Sequence, residues 1–209
     1  MANTLAPFGF SDSNRLGAAP TYQMSRRWIS ASSPPAAIYF GDPFIQLATG
    51  YIGVPGTYNS QISGIFLGCN YMSISQRKRV WSNFWPGTTD AVVSGTGFDI
   101  EAEVIDDPLT VFRVQAGTSG AGGQVTMAMV GNNIGWCFNN SLSPNPNASG
   151  RSNVTLDTTV VGTTATYPFR VVDLVRDPPG SNGADPTTAY NWVYVTFNQQ
   201  DFKAGVTGI

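Results

Sequence analysis

Few residues in this 209-residue chain have the types and spacing that enzyme chemistry requires. The one adjacent acidic pair is Asp106-Asp107, which Pro108 follows. Adjacent carboxylates on such a corner diverge and cannot easily flank a scissile bond as glycosidase carboxylates do, so we interpret them as turn-forming oxygens. The chain has no histidine, the commonest general base and zinc ligand, and no serine in a GxSxG elbow. The sequence therefore predicts no enzyme, metal site or cofactor.

Residues 117–123 are rich in glycine and resemble a phosphate-binding loop only superficially. They lack the GK[ST] ending of a P-loop and the GxGxxG spacing of a dinucleotide-binding turn. Either pattern would direct backbone N–H groups at a phosphate from the start of a helix. We therefore interpret this segment as a connector between strands and predict no nucleotide site there.

A regular alternation of apolar and acidic residues over positions 98–104 is typical of a β-strand with one buried face. Side chains two positions apart in a strand point to the same side of the sheet, so the carboxylates lie together. The apolar members are Phe98, Ile100, Ala102 and Val104, and the acidic members are Asp99, Glu101 and Glu103. Because no loop with calcium-ligand spacing accompanies them, we predict that the carboxylates face solvent or a basic partner.

Three aromatic residues lie within five positions of one another, namely Trp81, Phe84 and Trp85. We predict that they form a packing node, because aromatic side chains contribute much of the buried apolar area of a core. The alternative is that exposed aromatic rings stack against sugar rings, with Trp136 and Trp192 as further candidates. The sequence leaves both interpretations open.

The chain carries little charge, with 11% charged residues, a net charge of −2 and one short basic run, Arg77-Lys78-Arg79. We interpret that run as a solvated hairpin tip or as one side of a salt bridge across a protein interface. No basic excess predicts binding to nucleic acid or to an anionic membrane. The apolar runs are far shorter than the roughly 20 residues of a membrane span, and no secretory signal is apparent, so we expect synthesis in a cytosol.

Turn residues and short alternating segments dominate from residue 36 onward, which predicts an all-β domain over residues 36–209. We expect a single β-barrel or β-sandwich-like domain with long loops. Residues 124–138 are compatible with a short helical turn or with two strands. Cys69 and Cys137 lie in apolar surroundings and are interpreted as buried thiols, although a disulfide between neighbouring strands is the alternative.

Residues 1–35 differ from the rest in being locally basic and rich in proline and glycine. We predict an extended N-terminal arm that lies on a partner and contributes backbone pairing and aromatic anchors. Disordered segments rarely contain so many aromatic residues, which favours an arm over a floppy tail. The residues predicted to contact the partner are Leu5, Phe8, Phe10, Arg15, Tyr22, Arg26, Arg27 and Trp28.

A set of segments is spread over most of the chain. The N-terminal half carries MANTLAPFGF, GAAPTYQ, IYFGDPF and TGYI, and the middle carries ISGIFLGCNY, VWSNFWPG and VIDDPLTVFRVQ. The C-terminal half carries GRSNVTLD and FRVVDLV. Together these segments resemble a family of capsid cement (decoration) proteins of tailed bacteriophages. The resemblance implies a structural virion protein, made in the host cytoplasm, that binds the major capsid protein on the capsid exterior through its arm.

The same resemblance implies a β-rich homo-oligomer, most often a homotrimer. The residue patterns agree with a structural role, because they combine low charge, many short strands and a distinct arm with no recognisable catalytic set. The alternative function is a carbohydrate- or host-surface-binding β-domain that uses exposed tryptophans as stacking platforms. In either case no nucleic-acid or membrane partner is expected.

Overall fold

Short strands joined by turns make up almost all of the regular structure, as expected from the low content of helix-forming charged residues. The structure is a computed structural model that describes residues 3–16, 24–56, 61–92, 100–118, 122–138, 149–176, 185–205 and 207–208. The prediction of an all-β fold is confirmed. The strands within these residues are β1 Ser11–Arg15, β2 Met24–Ile29, β3 Pro43–Gln46, β4 Ile52–Gly53, β5 Gly64–Ser73, β6 Lys78–Ser82, β7 Ile100–Ile105, β8 Thr110–Gly117, β9 Asn133–Phe138, β10 Val154–Gly162, β11 Phe169–Leu174 and β12 Trp192–Phe197.

Five strands close into a ring in the order β8-β10-β9-β11-β12 and back to β8. The β8–β10 pairing is parallel and the other four are antiparallel. Val193, Val195 and Phe197 of β12 point into the barrel core, while Trp192 and Thr196 on the opposite face are also buried. Because β12 pairs with a strand on each side and is largely buried on both faces, it is a central strand of the barrel.

A second sheet has the order β2-β7-β5-β3-β4, with β6 paired to β5. Ile65 and Ile105 on one face of this sheet join the barrel core. Phe66, Ala102 and Val104 on the other face belong to a second apolar cluster. The predicted alternation is confirmed over β7, where apolar residues are buried and glutamates are partly exposed. Residues 98 and 99 lie outside the described part of the chain.

The described residues of the predicted N-terminal arm are integrated into both sheets. β1 pairs with β8, and β2 pairs with β7 along six residues. Phe10 is fully buried and stacks on Phe169 with the ring centroids 4.2 Å apart. The buried Gln115 side chain accepts the Ala6 N–H at 3.0 Å and donates to the Thr4 carbonyl at 2.9 Å. The predicted division between residues 1–35 and 36–209 therefore does not coincide with a boundary in the fold.

The remaining local predictions concern turns and cysteines. Asp107 accepts the Leu109 N–H at 3.0 Å, which is the turn role predicted for it. Residues 127–129 form one 3₁₀ turn before β9, so the ambiguous segment contains a short helical turn and one strand. Cys69 and Cys137 are free and buried, which confirms their interpretation as thiols.

Candidate interaction surface

One face of the second sheet extends beyond the barrel and is open to solvent. The pairing register places Trp28, Glu101, Asn70 and Trp81 in one row across β2, β7, β5 and β6. The row begins and ends with a tryptophan, 47% exposed at Trp28 and 56% exposed at Trp81. Three strand spacings separate the two tryptophans, a distance of roughly 14 Å between their backbones. We call this surface the tryptophan face.

Trp81 lies flat on the sheet because Gly68 leaves room for its indole. A Cβ added to Gly68 would come within 2.9 Å of Trp81 Cζ2 and 2.8 Å of the Ser82 carbonyl oxygen. The indole N–H of Trp81 donates to Glu103 Oε2 at 3.3 Å, which fixes the orientation of the ring. The outer surface of a large aromatic side chain is thus held in place while more than half of the residue remains exposed.

The predicted packing node is correct for Trp85 and wrong for Trp81. Trp85 is fully buried, contacts Tyr71 edge-on at 5.7 Å and donates its indole N–H to the Pro35 carbonyl at 3.3 Å. Phe84 is partly buried and stacks with Tyr39 at 6.0 Å. Trp81 points to the opposite side of the sheet, because it is paired with Asn70 of β5 and not with a core residue of that strand.

Two arginines and two glutamates give the tryptophan face a mixed charge that sums to zero. Glu101 accepts from Arg26 at 2.8 Å and from Arg79 at 3.4 Å. Both arginine side chains are largely exposed, so these ion pairs contribute little to stability. Their main effect is to hold the long side chains across the sheet. Glu103 makes no ion pair with any described residue.

Two methionines add apolar area to the same face. Met24 precedes Arg26 by two residues on β2, and Met72 is paired with Arg79, so both side chains point to the tryptophan face. Each is about half exposed. The face therefore combines four large apolar side chains with two arginines on a preformed sheet.

The structure brings together three residues from two separate predicted groups. Arg26 and Trp28 come from the predicted arm, and Arg79 comes from the basic run, yet all three lie on the tryptophan face. Arg77 lies in the turn between β5 and β6 with a left-handed φ of 52°, and Lys78 is the first residue of β6. The basic run is thus a hairpin tip from which one residue reaches the face.

The other residues predicted to contact a partner lie elsewhere. Phe10 is in the barrel core and has no accessible surface for a partner. Phe8 stacks on Trp192 at 4.7 Å, and Leu5 is partly buried near the barrel. Arg27 points to the opposite side of β2 from Arg26 and forms an ion pair with the buried Asp106. Tyr22 and the side chain of Arg15 lie outside the described part of the chain.

Gly68, Asn70 and Met72 complete the face and were not found from the sequence. Their strand, β5, contains a bulge between Phe66 and Gly68 that shifts the alternation by one residue. After the bulge, residues that a strict period of two assigns to the core point to solvent. Gly68 itself carries no hydrophobic signal, so only its contact with Trp81 on the neighbouring strand reveals its role.

No catalytic arrangement is apparent in the described residues. Burial and the nearby charge of Glu103 raise the pKa of the Cys69 thiol to about 12, and burial raises the pKa of Cys137. Neither thiol is therefore an activated nucleophile. No group of three or more metal-ligating side chains occurs among these residues. Within the same part of the chain, no helix has the length and apolar content that a membrane span requires.

Comparison with known proteins finds no significant similarity. No protein-family model matches the chain, and no curated protein or solved structure is significantly similar to it. The tryptophan face is thus the feature of the fold from which a function is best argued.

Proposed function

We propose that this protein is a capsid decoration protein that binds the exterior of a phage head through the tryptophan face. The observation that carries the proposal is the clustering of Trp28, Trp81, Met24, Met72 and two arginines on one exposed sheet surface. Exposed large apolar side chains gathered on one surface among polar residues are typical of interaction sites on soluble proteins. Tryptophan, methionine and arginine are the residue types enriched at protein–protein interfaces.

The organisation of the face also supports binding to a protein surface. Its strands are fixed by pairing to one another and by packing on the barrel, so little backbone entropy is lost on docking. Trp81 is held by Gly68 and Glu103, and Arg79 is held by Glu101. A preorganised surface of this kind suits a static structural contact.

The resemblance to phage cement proteins is the reason for proposing the major capsid protein as the partner. Assembly as a homotrimer and a position on the capsid exterior are parts of the same proposal. The low overall charge agrees with a protein whose surface is partly covered in an assembly. Light scattering after gel filtration tests the trimer separately, and a monomeric mass would remove that part of the proposal.

Co-sedimentation with intact capsids of the encoding phage tests the docking role. Trp28→Ala and Trp81→Ala should each weaken binding about tenfold or more, because tryptophans that become buried in an interface commonly contribute over ~1.4 kcal/mol. Met127→Ala is the matched control, since Met127 is 55% exposed but lies beside the barrel, away from this face. Both tryptophan variants saturating capsids like the control would contradict the proposal.

A second candidate is carbohydrate binding on the same face. It is favoured by one observation, the flat exposed indole of Trp81 with Trp28 in the same row. Titration of neutral oligosaccharides, monitored by tryptophan fluorescence, tests it. A saturable signal that Trp81→Ala abolishes, without any binding to capsids, would favour this candidate over capsid decoration.

A further inference from the structure

Glu101 and Glu103 are neighbours on the same face of β7 but have different partners. Glu101 lies between two arginines and accepts from both of them. Arg26 is directly opposite Glu103 in the β2–β7 register, yet its guanidinium bonds to Glu101 instead. The described residues provide Glu103 with one hydrogen-bond donor, the indole N–H of Trp81. Among the described residues, one carboxylate of the pair is therefore neutralised by arginines and the other has no ion-pair partner.

Glu103 is also adjacent to the exposed ring of Trp81. Because the indole N–H points at Glu103 Oε2, the carboxylate lies at the edge of the ring and the face of the ring stays open to solvent. A cation above this ring could gain from the ring quadrupole and from the carboxylate together. The guanidinium group fits best, since it is planar, stacks on aromatic faces and bonds to carboxylates with two N–H groups.

We infer that the docking partner places a basic side chain, arginine in the best case, against Trp81 and in contact with Glu103. The inference rests on the proposed docking role of the face and specifies the chemistry of the partner surface. An acidic partner surface would be repelled by Glu103, and a neutral glycan would leave its carboxylate without a countercharge. Although the charges of the face as a whole sum to zero, the carboxylate beside Trp81 thus favours a basic protein segment as the occupant of that end of the face.

Two carboxylates on different sheets form a matched pair for a capsid-binding test. Glu103→Gln removes a charge from the tryptophan face, and Asp173→Asn removes one from the barrel strand β11, where the side chain is 49% exposed and paired with Arg176. Glu103→Gln should weaken binding to intact capsids about tenfold and reduce its dependence on salt, because a charge-assisted contact is lost. Asp173→Asn should change the affinity less than about threefold, because Asp173 lies away from the tryptophan face. Equal effects of the two variants would overturn the inference.

Titration with short peptides and an oligosaccharide tests this inference without capsids, and therefore independently of the docking role. Wild-type protein is titrated with a capped tetra-arginine peptide, a capped tetra-glutamate peptide and cellohexaose, and tryptophan fluorescence is followed. Only the basic peptide should give a saturable change, and Glu103→Gln and Trp81→Ala should each remove it. A response to cellohexaose alone, or one that persists in Glu103→Gln, would overturn the basic-partner inference.

The combined outcomes identify which idea has failed. Capsid binding that Trp81→Ala abolishes but Glu103→Gln leaves intact would keep the docking role and reject the basic partner. Peptide binding through Glu103 without any binding to capsids would keep the basic partner and reject capsid decoration. Thermal melting of each variant verifies that it is folded, and Trp81→Phe offers a second variant that retains an aromatic face.

Discussion

Asp42 is a buried carboxylate at the point where the N-terminal segment meets both sheets. Its Oδ2 accepts the Tyr39 N–H at 2.8 Å, while its Oδ1 is buried with no hydrogen-bond partner among the described residues. The adjacent Gly41 carbonyl accepts the N–H of Phe10 at 3.0 Å. Burial raises the pKa of Asp42 to about 6, although hydrogen bonds from Ser152 and Tyr39 act in the opposite direction. We predict that the protein becomes more stable as the pH falls from 7 to 5.

The direction follows from which state binds the proton more tightly. The pKa of Asp42 is about 6 in the folded protein and 3.8 when unperturbed, so the folded state takes up the proton first. The cost of burying the charged carboxylate is present at pH 7 and is relieved as the pH falls through 6. The full difference is about 3 kcal/mol, from 1.36 kcal/mol per pKa unit. The gain between pH 7 and pH 5 is about 1 kcal/mol.

Urea unfolding at pH 7, 6 and 5 measures this gain as a rise in the free energy of unfolding. The absence of histidine removes the side chain that most often titrates in this range. Asp42→Asn is the control, because the amide keeps the shape of the side chain and does not titrate. The variant should lack the rise that the wild type shows. A wild-type free energy that stays constant or falls toward pH 5, or an equal rise in Asp42→Asn, would refute the reasoning.

Two exposed carboxylates act in the opposite direction at lower pH. Hydrogen bonds from Ser73 lower the pKa of Asp90, and hydrogen bonds from Thr187 lower the pKa of Asp185. A lowered pKa contributes stability above the unperturbed value of 3.8, and that contribution is lost as the pH falls below it. The test for Asp42 therefore belongs between pH 7 and pH 5, where these two groups stay ionised.

Three sets of substitutions test the assignment of core and surface. Trp85→Ala should lower the free energy of unfolding by ~3–5 kcal/mol and Trp81→Ala by less than ~1 kcal/mol, measured by urea unfolding, because only Trp85 is buried. Phe10→Ala should lower the free energy of unfolding by ~3–5 kcal/mol, and Phe202→Ala should lower it by less than ~1 kcal/mol, because Phe202 is 66% exposed. Equal losses would mean that Phe10 is not in the core. Gly68→Ala should displace the Trp81 indole, shift its fluorescence to the red and lower the free energy of unfolding by ~1–3 kcal/mol. An unchanged fluorescence spectrum would contradict the packing of the ring on Gly68.

The parts of the fold that the sequence predicted are those that depend on local periodicity. The alternation in β7 could be inferred from a single segment, because a strand repeats every two residues whatever it pairs with. The turn role of Asp107 likewise depends on its immediate neighbours. Closure of the barrel could not be predicted in this way, since the β8–β10 pairing joins residues 40 positions apart through a parallel contact of two residue pairs.

The N-terminal segment shows why composition was a poor guide to its position. Its prolines and glycines do exclude a helix, but they are compatible with strands that pair with distant partners. Arg27, interpreted as a residue for an external carboxylate, finds one within the chain in Asp106, and Ser25 donates to the same carboxylate at 2.6 Å. Phe10 likewise finds its aromatic partner inside the barrel. A sequence can indicate that an anchor needs a partner, whereas only the fold decides whether that partner is internal.

The exposure of Trp81 depended on two features that no hydrophobic pattern contains. The first is the bulge in β5, because of which Asn70 and its paired residue Trp81 point to the solvent side of the sheet. The second is Gly68, whose missing side chain leaves a flat place for the indole. A tryptophan in an apolar segment has a strong tendency toward burial, and a buried neighbour such as Trp85 reinforces that expectation. The Trp81 ring therefore stays exposed because of specific features of the adjacent strand β5 and of Glu103. These features are the physical reason for proposing that the tryptophan face is a binding surface.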